Sequence, residues 1–426
     1  MMEKVYILGG LRTPIGITNG ILKNKLPEEL AATVIKNLIR KFNLKHIDSV
    51  ILGNAVGPGG NIARLSSLMA GLDVPAFAID MQCASALKSI EVAYTEIACG
   101  ISEIIIAGGV ESTSMSPVRY YSKNDPRKTK DREFYKVAQF TPDDHSELSM
   151  IEGAERVAKK YGFSREYLDL LSTESHRKAF KAKKYLDEIK TSVNTDKCEN
   201  SNNLYLNINN TNLIIEEDEG IRKGISERLL KRLKPILNGG NMVTAGNSCL
   251  THDGAAMVIL CSERAIKKIL NNVYIESEKE LRKSSNLKEL KKDMAVKLDG
   301  IFEIKGFCNI SGDGNLSPEN GVKVAKKLMS NFNLTYDDID AFEINEAFAV
   351  ITALFQEEFG SREKLNRFGG ALAYGHPYGA SGGIITLHLI EILKHFNGRR
   401  GIVAIPAAGG LGEAMLLERT DLEYLD

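Results

Sequence analysis

One cysteine and one histidine stand in surroundings that suit chemistry. Cys83 lies in Asp80-Met-Gln-Cys-Ala-Ser-Ala-Leu-Lys88, and Leu87, Ile90, Tyr94 and Ile97 then recur at helical spacing. The spacing predicts a helix running to about Ala98, with a short strand or connector over 76–80 before it. A thiol at the start of a buried helix meets unpaired N–H groups and the positive end of the helix dipole, which favour the nucleophilic thiolate. An inert buried cysteine fits the same residues, because free cysteine is among the most buried types. His376 sits in Gly369-Gly-Ala-Leu-Ala-Tyr-Gly-His-Pro-Tyr-Gly-Ala-Ser-Gly-Gly383, where glycine permits close backbone approach. A Cys–His pair activates a thiol, and an imidazolium neighbour is expected to lower the pKa of Cys83. Against this stands an ordinary core or loop histidine. Asn345 can hold a water or a developing oxyanion, or simply cap a turn. Ala408-Gly-Gly410 can present N–H groups in a nest, or be a plain tight turn.

The elements that must position these residues come as an internal repeat. Ile47-Asp-Ser-Val-Ile-Leu-Gly-Asn54 resembles Ile339-Asp-Ala-Phe-Glu-Ile-Asn345, and each follows a helix-like stretch, 28–42 and 321–332. Each is followed by a small-residue helix start, Cys83-Ala-Ser and Gly379-Ala-Ser. Next comes an apolar strand with a glycine pair, ending at Gly109 and at Gly410. A last strand closes each copy, Asp253-Gly-Ala-Ala-Met-Val-Ile-Leu260 and Gly412-Glu-Ala-Met-Leu-Leu-Glu418. Alternating strands and helices in both halves predict an α/β fold with a mixed sheet in each. Pseudo-symmetry would set Cys83 and His376 facing each other across the halves. The first half alone carries a domain-sized insertion between Gly109 and Asp253. It is expected to hold helices over 151–161 and 165–184, then an Asn-rich surface loop over 194–212. A second polar insert over 271–293 is expected between the halves.

Composition narrows the classes. The 426 residues are 43% hydrophobic and 26% charged, as in globular proteins of two or three domain-sized units. Lys+Arg and Asp+Glu both number 55, which gives no support for a nucleic-acid or anionic-membrane partner. No apolar run reaches the length of a membrane span. Met1-Met-Glu-Lys leads straight into a strand-like Val5-Tyr-Ile-Leu, so no signal peptide is expected. Six cysteines without a metal-type CxxC suggest a reducing compartment, with the cytoplasm as the expected location.

Together these residues resemble the thiolase family almost end to end. The resemblance rests on Arg12-Thr-Pro-Ile-Gly16, Asn61-Ile-Ala-Arg64, Cys83-Ala-Ser-Ala-Leu-Lys88 and Gly108-Gly-Val-Glu-Ser112. It continues through Thr244-Ala-Gly-Asn247, Asp253-Gly-Ala255, Asn345-Glu-Ala-Phe348 and Gly375-His-Pro-Tyr-Gly-Ala-Ser-Gly382. It implies a duplicated five-layer α/β/α/β/α fold with two mixed sheets and an inserted loop domain. The halves would be 1–118 plus 242–270 and 271–426, and the coenzyme A-binding loop domain 119–241. The implied activity is Claisen condensation or thiolysis of acyl-CoA, with coenzyme A thioesters as substrates and neither cofactor nor metal. Cys83 would be the acyl-accepting nucleophile and His376 its base. His376 and an Asn345-held water would stabilise the thioester enolate, and the N–H groups of Cys83 and Ala408 the acyl-enzyme oxyanion. A homodimer or homotetramer is implied as well.

The chain departs from the family at one functional position. Thiolases usually carry a proton-moving cysteine in a Cys-x-Gly-Gly-Gly-x-Gly turn, and its place here is Pro406, with Ala408 for the first glycine of the triplet. Cys249 stands in Asn247-Ser-Cys-Leu250, where the family commonly has serine then glycine. Either Cys249 replaces the lost acid/base or it only lines the pocket. Ser149-Met150 occupies a place where biosynthetic members often have His-Met, which bears on acyl preference. Two other readings stay open: another CoA-thioester condensing enzyme using only Cys, His and Asn, and a non-catalytic acyl-CoA-binding homologue.

Overall fold

The computed structural model describes residues 3–130, 133–142, 146–194, 214–249, 251–269 and 301–420. The first half contains β1 (Val5–Arg12), β2 (Gly16–Ile17), α1 (Pro27–Lys41), β3 (Ser49–Gly53), α2 (Ile62–Met69), β4 (Ala76–Ile79), α3 (Ser85–Ala98) and β5 (Ile104–Ser112). The insertion carries β6 (Arg119–Tyr120), β7 (Phe134–Tyr135), α4 (Ser149–Tyr161), α5 (Arg165–Ala182), β8 (Val193–Asn194), β9 (Ile214–Ile215) and α6 (Glu227–Leu230). The chain then returns to the first half as β10 (His252–Ser262). The second half contains β11 (Phe302–Ser311), α7 (Asn320–Asn331), β12 (Ala341–Ile344), α8 (Ala349–Phe359), α9 (Ala371–Tyr374), α10 (Ser381–His395), β13 (Arg400–Ala407) and β14 (Leu411–Arg419). The Asn-rich segment beyond Asn194, Cys198 within it, and the insert over 271–293 lie outside the described residues.

The repeat seen in the sequence is a repeat of sheet topology. In the first half β3 runs parallel to both β4 and β5, and β5 pairs antiparallel with β10. In the second, β12 runs parallel to β13, and β13 pairs antiparallel with β14. The two mixed sheets meet where β1 pairs with β11 through Tyr6↔Glu303 and Ile7↔Phe302. That short ladder makes one hydrogen-bonded path, β12-β13-β14-β11-β1-β10-β5-β3-β4.

Burial is nearly continuous along β1, β3, β5, β10, β12 and β13, so each sheet has two covered faces. The central layer is α3 and α10. Leu87, Ile90 and Ile97 of one and Ile385, Leu389 and Ile392 of the other share a core with Ile105 and Val258 of the first sheet and Val403, Ile405 and Met415 of the second. Helix α10 is buried all round over 381–390, as its apolar composition requires. On the outer face of the first sheet, Leu30, Val34 and Leu38 of α1 pack on Val50, Ile106 and Met257. Helix α1 is well bounded for that place, with Pro27 in its first turn, Glu28 and Glu29 beside it, and Arg40 and Lys41 in the last turn. On the outer face of the second sheet, Val324 and Leu328 of α7 and Ile351 and Phe355 of α8 cover Ile344, Ile402 and Leu416. The result is the five-layer α/β/α/β/α arrangement. The two central helices cross closely because Gly382 lies against Leu87, where a Cβ would fall 2.4 Å from the Leu87 nitrogen.

Candidate active site

Cys83 is presented by a strained turn. Gln82, just before it, adopts the left-handed conformation with φ +53°, which costs a non-glycine residue about 1–2 kcal/mol. The turn is tied on both sides. Asp80 Oδ1 accepts the Gln82 N–H at 2.8 Å, and Ser85 Oγ accepts the Met81 N–H at 2.8 Å while donating to the Gln82 carbonyl at 2.6 Å. Cys83 thereby stands two residues ahead of the first residue of α3. Its own N–H and that of Ala408 lie near enough to its sulfur to favour the thiolate. Burial outweighs those two donors and, with Glu111 and Asp80 nearby, pushes the thiol up to about 12. The expected thiolate is therefore not the resting state.

His376 corrects the other half of that expectation. Burial, with His252 beside it, pushes the imidazole down to about 3, so it is neutral and supplies no positive charge to the thiol. The tautomer follows from hydrogen bonding. Ser381 Oγ lies 2.5 Å from Nδ1 and spends its own proton on the Pro377 carbonyl at 3.0 Å. Nδ1 therefore carries the hydrogen and donates it to Ser381, which leaves Nε2 as the acceptor nitrogen. Asn345 Nδ2 faces Nε2 at 3.3 Å, and Asn345 Oδ1 is buried without a partner. The His376 N–H donates to His252 Nδ1 at 3.2 Å, which fixes the loop.

The turn after β13 supplies one N–H to the site. Gly409 and Gly410 are both left-handed, with φ +79° and +77°. A Cβ on Gly410 would fall 2.3 Å from the Gly312 carbonyl oxygen. The Gly410 N–H donates to Ser317 at 3.0 Å, leaving Ala408 to face Cys83. Ala408 is absent from the left-handed residues, so an alanine fits where the family has glycine. Pro406 sits opposite Gly412 in the ladder, and its ring lies against Gly321 of α7.

Cys249 does join the site. Its N–H donates to the Ala347 carbonyl at 2.8 Å and Ser248 bridges to Phe348, which draws the segment against the loop after Asn345. Burial raises its thiol strongly, and the charges of Cys83 and Glu346 add to the rise. Ser149 and Met150 open α4, with Met150 packed on the outer core of the second half.

Four functional residues escaped sequence reasoning. Ser381 sets the tautomer of His376, and its signal was a hydroxyl at the start of the helix that follows the histidine loop. Glu111 accepts the N–H groups of Ala55, Val56 and Gly379 at 2.9, 3.2 and 3.0 Å, clamping the His376 loop to the first half. Burial still pushes its carboxyl up to about 7. His252 braces the same loop, and Tyr378 sets its ring edge-on to His376 with centroids 5.0 Å apart.

Comparison with known proteins places this geometry. The thiolase N-terminal domain family matches residues 5–264, and the thiolase C-terminal domain family matches residues 301–419. A Staphylococcus aureus (strain MRSA252) protein, VraB, provisionally named an acetyl-CoA C-acetyltransferase, is 35% identical over 425 residues, covering 98% of this chain and 100% of its own. The VraB of Staphylococcus haemolyticus (strain JCSC1435), named likewise, is 32% identical over 423 residues, covering 98% and 99%. The crystal structure of the Bacillus anthracis acetyl-CoA acetyltransferase superposes with a TM-score of 0.82 at 28% identity, covering 98% of this chain and 99% of that one.

Proposed function

Because this chain belongs to the thiolase family and is an acyltransferase, we propose that it condenses two acetyl-CoA to acetoacetyl-CoA and coenzyme A, reversibly, through an acyl group carried on Cys83. The observation that carries this reading is the pair of N–H groups, of Cys83 and Ala408, that lie near the Cys83 sulfur. Donors so placed meet the oxyanion that forms when the sulfur attacks a thioester carbonyl. In that first step the thiol proton passes to Nε2 of His376 and then to the departing coenzyme A thiolate. A neutral imidazole with Nδ1–H donated to Ser381 suits this, since its lone pair is on Nε2.

In the second step a proton leaves the α-carbon of another acetyl-CoA. Pro406 cannot take the α-proton, and Cys249 is the replacement we favour, being an ionisable group near Cys83. Cys249 gives its thiol proton to Nε2 of His376 and accepts the α-proton in its place. The enolate oxygen is then held by the Nε2–H of His376 and by a water on Asn345, whose Oδ1 has no protein partner. The new carbon–carbon bond forms at the acyl carbon, and the Cys83 sulfur leaves and takes the proton from Nε2. The segment 119–241 carries much of the coenzyme A contact, and the working form is a homodimer or homotetramer in the cytoplasm.

A side-by-side thiolysis assay with acetoacetyl-CoA and a longer 3-ketoacyl-CoA tests the activity. Acid quenching after incubation with acetyl-CoA, followed by peptide mass spectrometry, tests the intermediate. Acetyl on Cys83 is expected. Acetyl on another cysteine, with Cys83 unmodified, overturns the mechanism. Binding of acetyl-CoA without turnover would favour the non-catalytic homologue, which the loss at Pro406 also suggests.

A further inference from the structure

Every residue over 368–390 is buried except Tyr378. This tyrosine follows the histidine and proline of the His376 loop, in the three-residue turn Tyr378–Ala380. The turn is rigid. The Gly379 N–H donates to Glu111 at 3.0 Å, the Ala380 N–H to the Pro377 carbonyl at 2.8 Å, and the turn packs on the start of α3 and on β5. The ring meets that of His376 edge-on, at 5.0 Å and 88°. The hydroxyl makes no hydrogen bond among the described residues. Cys83 and Cys249 are also only partly buried, and the phenol is close enough to both to feel their charges. Tyr378, Cys83 and Cys249 are thus partly exposed side chains near one another, and the Tyr378 ring is the bulkiest of the three.

We infer that Tyr378 sets the acyl-chain limit: its ring, held edge-on to His376, closes the space into which an acyl group on Cys83 extends, so that acetyl and acetoacetyl groups fit and longer chains do not. This rests on the acyl-cysteine reading given above. The ring cannot swing aside without giving up its edge-on contact with His376. A rigid wall discriminates by about 10–200-fold per methylene.

The test is thiolysis of acetoacetyl-CoA, 3-ketohexanoyl-CoA and 3-ketooctanoyl-CoA by wild type, Tyr378→Phe and Tyr378→Ala, read as the ratio of kcat/KM across chain lengths. Wild type should favour acetoacetyl-CoA over 3-ketooctanoyl-CoA by at least about tenfold. Tyr378→Phe should keep that ratio and Tyr378→Ala should erase most of it. A disturbed His376 slows all three substrates alike and leaves the ratio unmoved, so the ratio separates a wall from a support. Should Tyr378→Ala fail to fold, Tyr378→Leu carries the same expectation. A wild type that takes 3-ketooctanoyl-CoA as readily as acetoacetyl-CoA overturns the inference while leaving the thiolase reading intact. So does a wild-type ratio in the Ala or Leu variant. Failure of Cys83 to take acetyl at all would instead remove the acyl-cysteine reading, and this inference with it.

Discussion

The resting pair at the centre of the site is a neutral thiol and a neutral imidazole. With the Cys83 thiol pushed up to about 12, its thiolate fraction at neutral pH is small, and alkylation depends on that fraction. Alkylation of Cys83 by iodoacetamide should therefore climb with pH and show no plateau below about 8.5, the free-thiol value. His376→Ala should leave that profile in place, because the imidazole carries no charge near neutrality, while abolishing acetyl transfer from acetyl-CoA. A plateau near neutral pH that vanishes in the variant would restore the ion pair. Cys249 is tested by separating the half-reactions. Cys249→Ser should leave acetyl transfer to Cys83 nearly intact and slow the condensation step by about a hundredfold or more, the loss of one general acid/base. Rapid-quench kinetics that show wild-type condensation would reduce Cys249 to pocket lining and pass the proton to a water or to His376.

At the level of elements, the site is a meeting of helix starts and turns. Helix α3 offers Cys83, the loop before α10 offers His376, the end of β12 offers Asn345, and the turn after β13 offers the Ala408 N–H. Each is held by a specific tie: Ser85 and Asp80 on the first, Glu111 and His252 on the second, the Ala404 carbonyl on the N–H of Asn345 at the third, and Ser317 on the last. Gln82 is where strain is stored. Gln82→Ile, a β-branched residue in the left-handed region, should lower stability in urea by about 1–2 kcal/mol or more and slow acetylation of Cys83. Gln82→Gly should stay close to wild type in both. Equal effects of the two changes would mean that the side chain, and not the backbone conformation, matters there.

Among the described residues the sheet path of the whole molecule ends on strand β4, which has one neighbour there, β3. An unpaired edge invites another chain. Phe77 on it, with Leu65 and Leu68 of the adjoining α2, is exposed at 37%, 47% and 49%, an apolar surface that a second copy would cover. Two-fold dimers are the commonest oligomers. Light scattering at assay concentration should give a mass at least twice that of the chain, and Phe77→Lys combined with Leu68→Lys should halve it. A monomer in wild type would remove the dimer.

Local pattern was enough for much of this. Helical spacing after Cys83, two strand-ending asparagines and two glycine pairs are short-range signals, and their repetition disclosed the duplicated α/β halves before any coordinates. Types and spacing also pointed to Cys83, His376, Asn345, Ala408 and Cys249, of which the fold sets Asn345 against His376 and the Ala408 N–H and Cys249 near Cys83. Protonation was not legible in that way. Burial, which depends on what all the other residues do, raised the thiol and lowered the imidazole, and a hydroxyl on the following helix chose the tautomer. Nor could spacing say that Gly410 spends its N–H on Ser317, that the Pro406 ring turns to Gly321, or that Tyr378 alone in its stretch stays partly exposed. These are outcomes of long-range packing, where residues hundreds of positions apart compete for the same donors and the same volume, and a linear pattern carries no record of that competition.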